Sequence, residues 1–193
     1  MMRHRALAAL GLALLLAACG SIPRERHYTM SVPPASSAAT SPAADYSISV
    51  GPVTVPEAID QGQIVVQVAP NRVAIEEFHR WASPLRGEIA RVIAANLSQE
   101  LGTPRVWSYS QASLGTADYR VLVDIQRFDS IRGEAVAIEA LWTIRPPGGT
   151  ARNGRSTVRE AATGDGFDAL VAAHGRALAR VSRDIAEAIR ATR

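Results

Sequence analysis

Few side chains in this sequence are of types that perform covalent chemistry, and their spacing sorts them quickly. His174, Ser182 and Asp184 supply the residue types of a nucleophilic triad. On a single helix, however, His174 and Ser182 would stand about 12 Å apart at 1.5 Å per residue, beyond hydrogen-bond reach. His174 therefore reads as a packed core or interface histidine. The run Gly164-Asp165-Gly166-Phe167-Asp168-Ala169 imitates a glycine-rich nucleotide loop. It follows no buried parallel strand, so it reads as the start of a helix instead. No pair of histidines or cysteines has metal-ligand spacing, and no cofactor is expected. His79 beside Trp81 marks either a binding surface or an aromatic anchor at the start of a helix. What is left is one thiol, that of Cys19.

Cys19 closes the run Leu16-Ala17-Ala18-Cys19, behind a charged start (Arg3, His4, Arg5) and the apolar stretch Ala6 to Ala18. As a helix that stretch reaches roughly 20 Å, short of a bilayer core of about 30 Å. It reads as a secretory signal rather than a membrane span. The run into Cys19 resembles the bacterial lipobox, where the thiol is acylated and the chain is cut just before it. Small residues precede the cut because the peptidase must approach the backbone closely. The alternative is a secreted protein with an incidental cysteine. An unpaired thiol is a liability in an oxidising compartment, and acylation removes it. Gly20 follows, where an aspartate would favour inner-membrane retention under enterobacterial sorting rules, so the sequence leans towards the outer membrane.

The chain of 193 residues carries a formal charge of +3, but Arg3 and Arg5 fall in the signal, leaving the remainder near neutral. Charge therefore suggests no nucleic-acid partner. With one cysteine no internal disulfide can form, so the apolar core must supply the stability. Residues 1–18 are read as signal peptide. Residues 19–45 are read as the lipidated Cys19, a tether and a first edge strand, and residues 46–193 as one domain. Within the tether, residues 33–44 have no charge and almost nothing to bury, so they cannot offset their ordering entropy. If the patch from Tyr28 to Val32 docks as an edge strand, residues 33–44 become a loop; otherwise the tether runs from Cys19 to Tyr46.

The domain alternates strand and helix signals. Tyr46, Ile48 and Val50 read as a strand stopped by Gly51-Pro52; Ile64 to Val68 as a second; Val73 to Ile75 as a third, after the turn Pro70-Asn71. Ser83 and Pro84 open a helix, with Pro84 at its first position, and Gly102 and Pro104 close it. Leu85, Ile89, Val92, Ile93, Asn96, Leu97 and Leu101 share one face of it. Strands follow at Val106 to Tyr109, Tyr119 to Ile125 with a bulge near Gln126-Arg127, and Val136 to Ile144. The turn Pro146 to Gly149 leads to a polar edge strand over Arg152 to Ala162. A final helix starts near Asp165, with Phe167, Leu170, Val171, His174, Leu178, Val181, Ile185 and Ile189 as its stripe. The order implies an α+β sandwich, with two amphipathic helices packed on one face of a mostly antiparallel sheet.

Several segments resemble the PqiC-like lipoproteins, the ABC-type transport auxiliary lipoprotein family. They are Tyr28-Thr29-Met30, Val50 to Pro56, Gln63-Ile64-Val65 and Phe78-His79-Arg80-Trp81-Ala82-Ser83-Pro84-Leu85. Further on come Asn96-Leu97 through Thr103, Asp118-Tyr119-Arg120-Val121 through Asp129, and Ala173 to Ala179 with Ser182 to Ala186. Two departures are Gly175, where the family usually has serine, and Gln61, where arginine is common. The resemblance implies a non-enzymatic outer-membrane lipoprotein facing the periplasm. Its partners would be an MCE-domain protein that bridges the membranes and that protein's inner-membrane partner or ABC transporter, with self-association left open. The role implied is to dock the lipid-carrying bridge. Phe78, His79, Arg80 and Trp81, read as a loop entering a helix, are the candidate partner-binding residues. The competing functions are another periplasm-facing envelope lipoprotein, such as an assembly or synthase cofactor, and an unrecognised hydrolase.

Since the anchor rests on one side chain, Cys19→Ser should leave the protein soluble in the periplasm or held as an uncleaved precursor. Fractionation of envelopes checks this; a variant that still sediments with the outer membrane contradicts the lipobox reading.

Overall fold

Residues alternating with period two form the strands, and the 3.6-residue stripes form two helices. The computed structural model describes residues 24–32, 45–109 and 116–192. In chain order these hold β1 (Arg26–Tyr28), β2 (Ile48–Thr54), a 3-10 turn (Glu57–Ile59), β3 (Gln63–Ala69) and β4 (Arg72–Trp81). Then come α1 (Leu85–Leu101), β5 (Val106–Ser108), β6 (Tyr119–Ile131), β7 (Ala135–Arg145), β8 (Arg152–Ala161) and α2 (Gly166–Arg190). Cys19 and residues 33–44 lie outside the described residues. The leading patch, read over Tyr28 to Val32, docks as an edge strand over Arg26–Tyr28 instead, so residues 33–44 belong to a loop rather than to the tether.

The sheet branches at β6. One edge of β6 carries β7 along its length, and β7 carries β8, both in antiparallel register. The other edge is shared. Parallel β2 lies along Tyr119 to Asp124, and β3 touches β6 only where Gln67 meets Ile131. Beyond β2 lies parallel β5; beyond β3 lie antiparallel β4 and then parallel β1. The long ladders are antiparallel and the parallel ones short, giving the α+β class read from the sequence. Both helices cover one face: α1 packs on β2 and β5, α2 on β7 and β8, and the helices pack on each other. Ile48, Val50, Val121, Val123, Ile138, Ile144, Ile93, Leu97, Leu178 and Ile185 form the core between the layers.

The structure departs from the sequence reading in three further places. Gly51-Pro52 does not stop β2; the strand continues after a register shift between Val50 and Val53. Pro52 has no N–H to donate, so the ladder skips it and resumes at Val53. Gly51 adopts φ +123°, and a β-carbon there would stand 2.7 Å from the Tyr109 Cβ, so only glycine fits this crossing. Secondly, the strand around Val73 runs on to Trp81, so Phe78 to Trp81 are strand rather than loop. Thirdly, Pro84 flanks α1 as its cap instead of opening it, and the Ser83 hydroxyl donates to Glu88 at 3.2 Å. The other end of α1 closes as expected, with Gly102 left-handed at φ +65°.

A polar relay fixes the α2 layer against the β7–β8 pair. Trp142 Nε1 donates to Ser156 Oγ at 3.1 Å, and Ser156 donates on to Asp184 of α2 at 2.5 Å. The indole lies across Gly154 on the neighbouring strand, where a β-carbon would overlap the ring. Gly154→Ala should therefore cost about 1–3 kcal/mol, the usual range for overpacking a filled site. Denaturant titration checks it, and an unchanged midpoint would mean the ring is free to move.

Candidate partner-binding site

The leading segment, residues 24–32, is built into the body through β4 and α1. Arg26, His27 and Tyr28 pair with His79, Arg80 and Trp81 in parallel register. Ala82 N then donates to the Tyr28 carbonyl at 2.8 Å. Next along the chain, Thr29 and Met30 meet the carboxylate of Glu88, one turn into α1. Thr29 Oγ1 donates to Glu88 Oε1 at 2.6 Å, and Met30 N donates to the same oxygen at 2.7 Å. Arg91 completes the clamp: Nη2 donates to Glu88 Oε1 at 2.7 Å and to the Met30 carbonyl at 2.7 Å. Met30 itself is buried.

Glu88 is 4% exposed, and a carboxylate so placed must be fully partnered. Burial alone would raise its pKa. The hydrogen bonds from Arg91, Thr29 and Met30, with the charge of Arg91, outweigh that and lower it from 4.5 to about 2. On the other side of the segment lies α2. A β-carbon at Gly175 would stand 2.6 Å from the Ser31 carbonyl, so this chain's glycine lets the leading segment pass close over the helix.

The four residues picked out at the end of β4 divide between two environments. Trp81 is buried, edge-on to Phe128 and His174 at centroid distances of 6.3 and 6.1 Å. His79 shares a 2.7 Å hydrogen bond with the Tyr28 hydroxyl and stacks on Phe167 of α2 at 3.7 Å. Arg132, ion-paired to Glu76, reaches across the outer side of the Phe167 ring at 5.5 Å. Phe78 and Arg80 are the accessible pair, 37% and 33% exposed, and Arg80 lies 3.8 Å from Glu25. His79 and Trp81 are thus packing residues, and the surface they back carries Phe78 and Arg80.

The triad residues do not meet. His174 is fully buried, stacked on Phe128 at 4.0 Å and 5°, and its Nε2 shares a 2.8 Å hydrogen bond with Ser130 Oγ. Burial lowers its pKa from 6.5 to about 3, so it is neutral at physiological pH. Ser182 donates to the Leu178 carbonyl, and Asp184 receives Ser156. Among the described residues no group of acidic, histidine or cysteine side chains is arranged to hold a metal ion. Nor is any described helix long and apolar enough to cross a membrane.

The Glu88 clamp was not found from sequence, although it left a signal. Glu88 sits between Leu85 and Ile89 on the apolar side of α1, where an unpartnered carboxylate is costly, and Tyr28-Thr29-Met30 was already a matching segment.

The model of the ABC-type transport auxiliary lipoprotein component family matches residues 28–186, from the start of this clamp to within the last turns of α2. The chain belongs to that family. It is 26% identical over 160 residues to the intermembrane transport lipoprotein PqiC of Escherichia coli K12, covering 82% of this chain and 83% of that one. The PqiC of Shigella flexneri matches to the same extent. Among solved structures, an uncharacterized protein superposes with a TM-score of 0.70 at 24% identity, over 86% of this chain and 99% of its own. Protein XCC0632 from Xanthomonas campestris gives 0.66 at 18% identity, over 83% and 92%. These two show that the fold is shared.

The depressed pKa of Glu88 sets a pH signature. Its contribution is complete above about pH 4.5 and is lost as pH falls towards 2, because the unfolded chain binds the proton more readily. His174 acts in the same direction over a higher window, from about 6.5 down to 3, since burial disfavours its charged form. Glu88→Gln should cost on the order of 2–3 kcal/mol at neutral pH and flatten the acid limb below pH 4.5. Urea titrations at several pH values check both effects; an unchanged acid limb would exclude the clamp.

Proposed function

We propose that this chain is a lipoprotein held by acylated Cys19 on the periplasmic face of the outer membrane. There it serves as a docking component of an MCE-type intermembrane lipid transport system. The observation that carries this reading is the family match over residues 28–186, joined to the run Leu16-Ala17-Ala18-Cys19 ahead of it. The likeness to the intermembrane transport lipoprotein PqiC supports the transport role. Partners would be an MCE-domain protein and its inner-membrane partner or ABC transporter. The role is mechanical rather than catalytic: His174, Ser182 and Asp184, the side chains suited to catalysis, are each engaged in a separate internal hydrogen bond. An adaptor of this kind needs a membrane attachment, a short link and a rigid head. β1 supplies the link's fixed end, where Arg26 pairs with His79.

Phe78 and Arg80 are the proposed partner contacts, an exposed aromatic and a half-buried guanidinium beside the Tyr28–His79–Phe167 stack. Such pairs are enriched where interfaces concentrate their binding energy. Arg80→Glu should weaken recovery of the MCE partner from crosslinked envelopes. The folded domain should change by less than about 0.5 kcal/mol, as is usual for an exposed charge reversal. Mass spectrometry of the crosslinked material, with a melting curve of the variant, reads both. Undiminished recovery with an intact fold excludes Arg80 as a contact, and absence of any MCE protein from the wild-type sample contradicts the docking role.

A further inference from the structure

The turn joining β3 to β4 is unusual for this surface. Val68, Val73 and Ile75, around the turn Pro70-Asn71, are 42%, 59% and 53% exposed. They include most of the exposed large apolar side chains among the described residues. Beyond His79 the outer edge of β4 has no described strand beside it, because β1 pairs only with His79 to Trp81. The outer edge strand β8 is different in kind: Arg152, Arg155 and Arg159 lie along it, the charged pattern that discourages further association. Arg72 stands at the turn itself and makes no ion pair with a described residue. Beside the turn opens a hollow of about 660 Å³ walled in part by Val68, Pro70, Ile131, Arg132 and Arg159. Arg132 and Arg159 are held there by Glu76 and Glu134.

Chain direction says what this turn faces. β1 is parallel to β4, so its N-terminal end, Arg26, is the end that points towards Arg72. Cys19 to Arg26 can span at most about 25 Å when extended, the same contour length as His79 back to Arg72. An acyl chain on Cys19 is therefore within reach of the turn's end of the domain, whereas the β7–β8 turn lies at the opposite end of the strands.

We propose that the β3–β4 turn meets the phospholipid surface, with Val68, Val73 and Ile75 entering the interface and Arg72 facing the headgroup phosphates. The proposal rests on the acylated-anchor reading above. Apolar side chains around a guanidinium are the composition that suits a membrane interface, where stems and rings enter the acyl boundary and the charge remains in water. The domain would then be oriented as well as tethered, with the β7–β8 turn at its far end facing the periplasm.

The test uses the acylated full chain in vesicles of phosphatidylethanolamine and phosphatidylglycerol carrying a nitroxide-labelled lipid. Cys19 is blocked by acylation, so one added cysteine takes a fluorophore alone. Reporters are Val73→Cys and, should that disturb the strand, Asn71→Cys in the turn, with Thr150→Cys at the far end as reference. Flotation with the vesicles is measured on each sample first. The proposal expects quenching at 71 and 73 several-fold stronger than at 150, and its reduction to the reference level by Ile75→Asp in the Asn71→Cys chain. Flotation without selective quenching overturns the proposal and leaves the anchor standing. Shielding of 71 and 73 that grows with protein density assigns the surface to a second copy and also overturns it. Failure to float contradicts the anchor reading itself, and the proposal with it.

Discussion

One buried carboxylate holds the beginning of this domain to its middle. Glu88, itself buried, takes Thr29, Met30 and Arg91 into a single cluster, with Thr29 and the Arg91 side chain on its solvent side. The arrangement is stable because every demand of the charge is met at once. Removing any one partner would leave a desolvated group behind, which costs more than a bond at the surface returns. Around this cluster the order of the other contacts follows. Met30 enters the core, Tyr28 lies against Trp81 in the sheet, and Ser31 passes over Gly175 so closely that no β-carbon fits. The leading segment is thus shared by β4, α1 and α2, and no one layer can release it alone.

The same economy explains why residues suited to chemistry do none of it here. His174 and Phe128 stack at the contact of α2 with β6, with Trp81 edge-on to both, so a histidine takes the place of a third aromatic ring in the core. Its one exchangeable contact, to Ser130, is internal. Asp184 ends a relay from Trp142 that locks α2 to the β7–β8 pair. The branching of the sheet at β6 then gives the molecule two wings. One is braced by α2 and edged with arginine. The other, β3 with β4, buries Ile64, Val66 and Trp81 but exposes Val68, Val73 and Ile75 about its turn.

Much of this was legible in the sequence. The alternation through Tyr119 to Ile125, the bulge at Gln126-Arg127, the apolar face of β7 and the stripe of α2 all follow from local periodicity, and the structure has them. The parallel pairings were not legible. β1, β2 and β5 are short, and which neighbour a short strand takes is decided by tertiary packing rather than by its own residues. The loop assigned to Phe78 through Trp81 failed for a related reason: a register shift in β4 breaks the alternation after Glu76, so the strand's second half looks irregular. Glu88 escaped notice because a helix-face argument counts apolar residues and passes over a charge among them. The anchor at Cys19 lies outside the described residues and remains a reading of the sequence.

If the Glu88 cluster unites the leading segment with the body, the two must open together. Native-state hydrogen exchange at the Met30 amide, which donates to Glu88, measures this most directly. The expected result is protection close to that of Val123 in the central strand, so that Met30 exchanges only when the whole domain unfolds. Exchange at Met30 orders of magnitude faster than at Val123, with the sheet still protected, would show the segment detaching by itself and would contradict a single unit built around Glu88.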